Sequence, residues 1–320
     1  MKTLQSLESA FLQGTLPKPE YITQMYELHD RLFEYAEFIA NRDIEEIVIT
    51  PNCVRVKAAT GGGGGVTLLL QRGCERMTPL EILNFRHYEQ LDSAMIFALV
   101  RDGDIVLDIG GNIGYYSIAL AKMRNATIHA FEPVASTYKQ FIANAYYNGV
   151  QDRVRINNFG LFDKSGELTF YVYKQDFGNA SAAIMHEEKE NEKIVCRVER
   201  LDEYVKEQGL ARIDFIKLDV EGAEIFALKG GLKSIEQHKP ILFVEMLRKW
   251  AAKYGYHPNE IICLLEGLGY ECYYACERDS ALRLTRLETM TDQTQETNFF
   301  FLHKEKHKAY IDHFSLESIF

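Results

Sequence analysis

Short apolar runs alternate with amphipathic stretches along most of this chain. Residues 1 to about 50 carry helical spacing, with Tyr26, Leu32, Phe33, Tyr35 and Ala36 set among charges. Ile47-Val48-Ile49, a turn at Thr50-Pro51-Asn52 and Val54-Arg55-Val56 predict a hairpin, and Val66 to Leu70 a further strand. Between them Gly61 to Gly65 reads as a flexible loop, because no Lys-Ser or Lys-Thr follows to make a phosphate-binding loop. A helix is expected from Thr78 towards Val100.

A regular alternation follows. Strands are expected at 105–107, 127–131, 154–156, 213–218 and 241–244, with helices at 115–122, 136–147, from 224 and at 258–268. Glu167 to Tyr173 reads as part of a hairpin, and 271–275 and 298–302 as a closing antiparallel pair. Strand–helix alternation implies an α/β fold: a Rossmann-like sheet, mostly parallel with an antiparallel edge and covered on both faces. Residues 1–77 read as a small α+β appendage, and 78–320 as the main domain.

Composition narrows the partners. The chain has 320 residues, 47% hydrophobic and 26% charged, which suits a globular protein, and its net charge of −10 disfavours a nucleic-acid substrate. No apolar run reaches the length of a membrane span, and Met1 to Gly14 lacks a signal-peptide layout. The six cysteines, at 53, 74, 196, 263, 272 and 276, make neither a disulfide framework nor a zinc pattern, and point to a cytoplasmic location.

The candidate chemistry starts at Asp108-Ile109-Gly110-Gly111-Asn112-Ile113-Gly114, where a buried strand runs into a glycine turn and a helix. Ligands of open α/β sheets bind at this edge, and glycines allow close backbone approach. A dinucleotide fingerprint needs glycine at offsets 0, 2 and 5, but counting from Gly110 those later places hold Asn112 and Tyr115. Asp108 would repel a pyrophosphate but suits a sulfonium nucleoside with an ammonium group. Glu132 closes the next strand, where an acid accepts hydrogen bonds from ribose hydroxyls. The expected cofactor-binding residues are Asp108, Gly110, Asn112, Gly114, Glu132 and, from the preceding helix, Glu89. An NAD(P)-linked oxidoreductase and a non-catalytic assembly module are the alternatives; the glycine register opposes the first, and the intact acids oppose the second.

These segments, with Phe131-Glu132-Pro133, Ala143-Asn144-Ala145-Tyr146-Tyr147-Asn148 and Lys217-Leu218-Asp219-Val220-Glu221-Gly222-Ala223-Glu224, resemble the FkbM-type family of class I S-adenosylmethionine methyltransferases over about residues 88–245. Gly111 stands where that family usually has alanine, a difference expected to be harmless. The resemblance implies S-adenosylmethionine as cofactor and O-methylation of a hydroxyl, on a sugar, a glycan or a natural-product glycoside.

Methyl transfer needs an aligned hydroxyl and a group to take its proton. Asp219, Glu221 and Glu245 each end or follow an expected parallel strand, so they should converge at its carboxyl edge as catalytic residues. An ordinary carboxylate, with a pKa of about 4, is a weak base for an alcohol, so either burial raises one acid or a magnesium or manganese ion assists. The metal-free version is preferred because no histidine can be placed as a third ligand. Asn179, Ser181 and His186 lie in a small polar stretch within reach of a substrate. Lys217 and Asp219, two apart on one strand, share a face and can pair. Glu221 and Glu224 also suit the start of a helix on dipole grounds alone.

Overall fold

The computed structural model describes residues 2–60, 64–173, 176–183 and 191–315; Gly61, Gly62, Gly63 and His186 fall outside these. In chain order the strands are β1 (Ile44–Ile49), β2 (Val54–Ala58), β3 (Val66–Leu70), β4 (Ile105–Ile109), β5 (Thr127–Phe131), β6 (Val154–Asn157), β7 (Gly160–Leu161) and β8 (Gly166–Tyr173). They continue as β9 (Asp176–Ser181), β10 (Asn191–Glu199), β11 (Phe215–Leu218), β12 (Ile241–Glu245), β13 (Tyr270–Arg278), β14 (Ala281–Leu287) and β15 (Asn298–His303).

Eight of them form one sheet in the order β14-β13-β15-β12-β11-β4-β5-β6. From β12 to β6 every neighbouring pair is parallel, whereas β15 runs antiparallel to both β12 and β13, and β14 antiparallel to β13. The α/β class and the late antiparallel pair therefore hold, with β14 as an additional edge strand. Consecutive residues of the central strands enter opposite cores. Val106, Phe215 and Phe243 join one buried cluster, while Leu107, Ile216 and Leu242 join the other. Burial on both faces explains why these strands read as unbroken apolar runs. The chain leaves β4 towards β5 and leaves β11 towards β12, so the order reverses between β4 and β11. That reversal opens a crevice at the carboxyl ends of the strands.

β1, β2 and β3 form an antiparallel sheet that packs on the helices Tyr115–Met123 and Ala135–Tyr147. Asn144 and Asn148 accept from the amides of Leu69 and Thr67, each at 2.9 Å, and Val56, Ala58, Val66 and Leu68 share a core with Ile118 and Phe141. The helices Leu4–Leu12, Lys18–His29 and Arg31–Ile39 have Leu7 as their one buried residue. A second small sheet, ordered β7-β10-β8-β9, covers the crevice from the side.

The helix expected from Thr78 to Val100 is two helices, Thr78–Phe85 and Gln90–Leu99. Between them Arg86 and Glu89 adopt left-handed backbone angles, φ 77° and 43°. No glycine or proline forces this break. Asp43, beside β1, contacts the break: its amide donates to the Arg86 carbonyl at 2.9 Å, and its carboxylate pairs with His87 Nδ1 at 2.8 Å. No described helix is long and apolar enough to cross a membrane.

Candidate active site

At the carboxyl ends of β4, β5, β11 and β12 lies a cavity of about 450 Å³, within the usual range for small-ligand sites. Gly110 and Asn112 follow β4, Glu132 follows β5, Asp219 and Glu221 follow β11, and Glu245 ends β12; all six line it, as does Glu89 from the turn between the two helices. Asp108 and Gly114, expected to bind cofactor, do not line it.

Asp108 turns sideways into the fold. It is buried, its Oδ2 accepts from Ser117 Oγ at 2.6 Å, and its Oδ1 faces Lys217 Nζ at 3.6 Å. Ladder register explains this, since Asp108 stands opposite Lys217 on β11 and the two side chains share a face. Gly114 caps the helix Tyr115–Met123 at φ 92°, and a Cβ there would lie 2.1 Å from the Phe141 ring. The glycine loop is therefore shaped by packing as much as by a ligand. Its amides are also committed: Gly110 and Gly111 donate to the Phe131 carbonyl, and Asn112 donates to Glu132 Oε2 at 3.1 Å. At Gly111 an added Cβ would stand 2.8 Å from Phe141 Cε1, so alanine there would require that ring to shift, whereas the glycine meets no such contact.

Glu132 Oε1 accepts from the Val134 amide at 2.9 Å, so both carboxylate oxygens are anchored at the cavity wall. Burial outweighs these donors and pushes the group up to about 8. Beyond it Pro133, Gly160, Leu161 and Val198 give the wall an apolar section.

The segment Lys217 to Glu224 supplies the floor. Lys217, buried on β11, donates from Nζ to Asp219 Oδ2 at 3.1 Å and to the Gly110 carbonyl at 3.3 Å. Glu221 takes a left-handed conformation (φ 54°) and Gly222 follows at φ 98° against the backbone of Trp250. A non-glycine residue in that region is strained, and the neighbourhood holds it there. Glu224 Oε1 accepts from the amides of Val220 and Gly222, and Tyr256 donates to Glu224 Oε2 at 3.1 Å. Glu224 is thus a cap that shapes the turn, and Glu221 is the acid that the turn presents. Ser181, at the end of β9, donates to the Glu221 carbonyl at 2.9 Å; it braces the loop, and Ala182 beside it lines the cavity.

Glu245 Oε2 is buried and has no hydrogen-bond partner among the described residues. Burial, and then the charges of Asp219, Glu221, Glu224 and Glu89, push its carboxyl well above the ordinary carboxylate range. Glu89 Oε2 accepts from Tyr116 Oη at 2.5 Å, and burial raises Glu89 to about 7. Among the described residues no group of three or more His, Cys, Asp or Glu is arranged to hold a metal ion, and the cation beside Asp219 is the Lys217 ammonium. All six cysteines are free thiols.

Residues 108–272, just over half of the chain, match the methyltransferase FkbM domain. The chain belongs to the FkbM methyltransferase family. It is 30% identical over 158 residues to Methyltransferase 1 of Beauveria bassiana, covering 44% of this chain and 63% of that one. It is 29% identical over 208 residues to Methyltransferase sdnD of Sordaria araneosa, covering 56% and 78% respectively. It is also 29% identical over 159 residues to the 31-O-demethyl-FK506 methyltransferase FkbM of Streptomyces tacrolimicus, covering 41% and 60%. The match thus spans less than two thirds of the Beauveria and Streptomyces relatives.

The family's cofactor is S-adenosylmethionine, and the residues present suit it. Glu132 offers an anchored acceptor to a ribose, Pro133 and Leu161 offer an apolar wall to a base, and the acids beside Gly110 favour a cationic sulfonium and ammonium. Sequence reasoning did not identify His87, Trp250 or Lys249, which also line the cavity. Their place depends on the turn at Arg86 and on the Gly222 contact, which no local pattern announces.

Proposed function

We propose that this protein transfers a methyl group from S-adenosylmethionine to a hydroxyl oxygen of a sugar, a glycan or a natural-product glycoside. Glu245 lines the cavity, and its Oε2, which has no hydrogen-bond partner among the described residues and is close enough to Asp219 to feel its charge, carries this reading. Such an oxygen is placed to accept a proton, and where Glu245 is ionised its raised affinity makes it a stronger base than a solvated carboxylate. Bound S-adenosylmethionine supplies a carbon already activated for displacement. Asp219 orients the hydroxyl, and Glu245 takes its proton as the oxygen attacks. Glu132 and Glu89 hold the cofactor side, and Glu221 lies at the acceptor side. The name of the Streptomyces relative refers to an oxygen position, which supports O-methylation here.

Incubation with methyl-labelled cofactor and a panel of sugars, nucleotide sugars and glycosides tests the proposal. One or more neutral polyhydroxyl acceptors should become labelled. Glu245→Gln should lower kcat on the order of 100- to 10,000-fold, the range of general-base catalysis, with adenosylhomocysteine affinity little changed. Label appearing on nitrogen acceptors alone would defeat the assignment to oxygen.

A further inference from the structure

Lys217 is a charged residue in the middle of an apolar strand, and the proton transfer just described does not use it. Its Nζ lies 3.1 Å from Asp219 Oδ2, 3.3 Å from the Gly110 carbonyl and 3.6 Å from Asp108 Oδ1. It also lies 5.8 Å from the centre of the Tyr116 ring, and Tyr116 in turn holds Glu89. One buried ammonium therefore touches both the loop after β4 and the acid after β11, on either side of the crevice. A buried charge is costly unless it is paired and hydrogen-bonded, and the two groups that Lys217 hydrogen-bonds, Asp219 and Gly110, both line the cavity.

We infer that Lys217 is a positioning residue for the transfer: its ammonium ties the Asp219 carboxylate to the Gly110 carbonyl and so locks the acceptor side of the cavity to the cofactor side. This rests on the methyltransfer reading above. The ammonium stays charged through the working range. Burial acts to lower it, but Asp219, Asp108 and Glu89 outweigh that and hold it above an ordinary lysine. The other groups facing this centre are acids or phenols: Glu245 from β12, Glu221 and Glu224 from the turn after β11, Glu132 from β5, Tyr88 from the inter-helix turn and Tyr116 from the helix after the glycine loop. Arg76, His87 and Lys249 also line the cavity, but Lys217 is the cation that acts on Glu89 and Glu132, so its loss lets these acids hold their protons to higher pH. The base form of the site is then scarcer at neutral pH, and Asp219 is free to swing.

Lys217→Met removes the charge but also strands Asp108 in the interior. Asp108→Asn is therefore the reference, and Asp108→Asn/Lys217→Met the test; Lys217→Arg keeps the charge. The acidic limb of the kcat–pH profile should move up by about 1–3 units in the double variant relative to its reference. Its kcat at neutral pH should fall on the order of 10- to 100-fold, as expected from misplaced reacting groups, with the acceptor KM much less affected. Lys217→Arg should keep the profile near that of wild type. Carboxyl-carbon NMR on glutamate-labelled protein gives a readout that needs no turnover. The Glu89 resonance, assigned by its loss in Glu89→Gln, should titrate higher in the double variant than in the reference, because Lys217 lowers it in the native cluster. An unmoved profile and Glu89 titration in a folded double variant overturn the inference. So does a Lys217→Arg profile displaced as far as that of the double variant. A wild-type protein that labels no acceptor would defeat the methyltransfer reading, while the NMR arm would still test the charge on Lys217.

Discussion

At Gly110 the side chain is missing because of a neighbouring strand's backbone, not a ligand alone. A Cβ built there lies 1.8 Å from the Asp219 carbonyl oxygen, and φ is 81°. Gly110→Ala should therefore push the ends of β4 and β11 apart. It should lower both the melting temperature and adenosylhomocysteine affinity, with a stability loss of about 1–3 kcal/mol from overpacking and backbone strain. Thermal melts paired with calorimetric binding check this; lost binding at unchanged melting temperature would return the glycine to a purely ligand-facing role. The sequence made Asp108, Glu132 and Glu245 legible as important acids, since each follows an apolar run, whereas Glu89 follows Arg86-His87-Tyr88. It did not give their directions. Asp108 and Asp219 both follow such runs, yet one turns towards Ser117 and the other towards the cavity. The two acids share a face of the sheet, but the register sets Asp108 beside Lys217 inside the strands and Asp219 two residues further on, past the end of β11, and register is a property of two strands rather than one.

At the scale of elements, what was legible followed periodicity and what was missed followed tertiary contact. The central strands were read from apolar runs because both faces are buried. The second hairpin partner β10 was missed, and so was β14, although Leu282 and Leu284 alternate with polar residues. The turn before β14 uses Asp279 and Ser280 at φ 53° and 57°, without the glycine that usually marks such a turn. The N-terminal segment divides in the same physical terms. Residues 2–39 bury one side chain, Leu7, so deleting them should leave a folded chain with little change in melting temperature. Deleting residues 2–77 removes Val56, Val66 and Leu68 from the core they share with Ile118 and Phe141. At about 1.5–3 kcal/mol for each large side chain, that loss rivals the whole stability of a typical domain, about 5–15 kcal/mol. The longer deletion should show no cooperative melt by circular dichroism. A sharp melt would mean that the sheet β1–β3 is dispensable.

For the whole molecule, a cluster of acids held above their ordinary range makes stability depend on pH in a definite direction. Burial raises Glu89 and Glu224 to about 7 and Glu132 to about 8, and it raises Glu245 well above the carboxylate range. In the unfolded chain these groups titrate near 4.5. Between the two values the folded state binds more protons than the unfolded state, so stability present at acid pH is lost as pH rises through the folded values. Buried histidines act in the opposite sense. His307 is lowered to about 3 from 6.5, so it adds stability as pH climbs to about 6.5. Above 6.5 the opposing contribution of the lowered histidines fades over about one pH unit, while the acids continue, each contributing a slope of up to about 1.4 kcal/mol per pH unit. The melting temperature of the ligand-free protein should therefore fall from pH 6.5 to 8. Glu132→Gln, which keeps the shape but cannot ionise, should flatten that fall by about one proton's worth, most visibly above pH 7. Adenosylhomocysteine should flatten it too, because ribose hydroxyls donating to Glu132 would favour its ionised form. Differential scanning calorimetry across this window decides the matter. A wild-type melting temperature that is level or rising between pH 6.5 and 8 would mean that these acids enter the folded state already ionised.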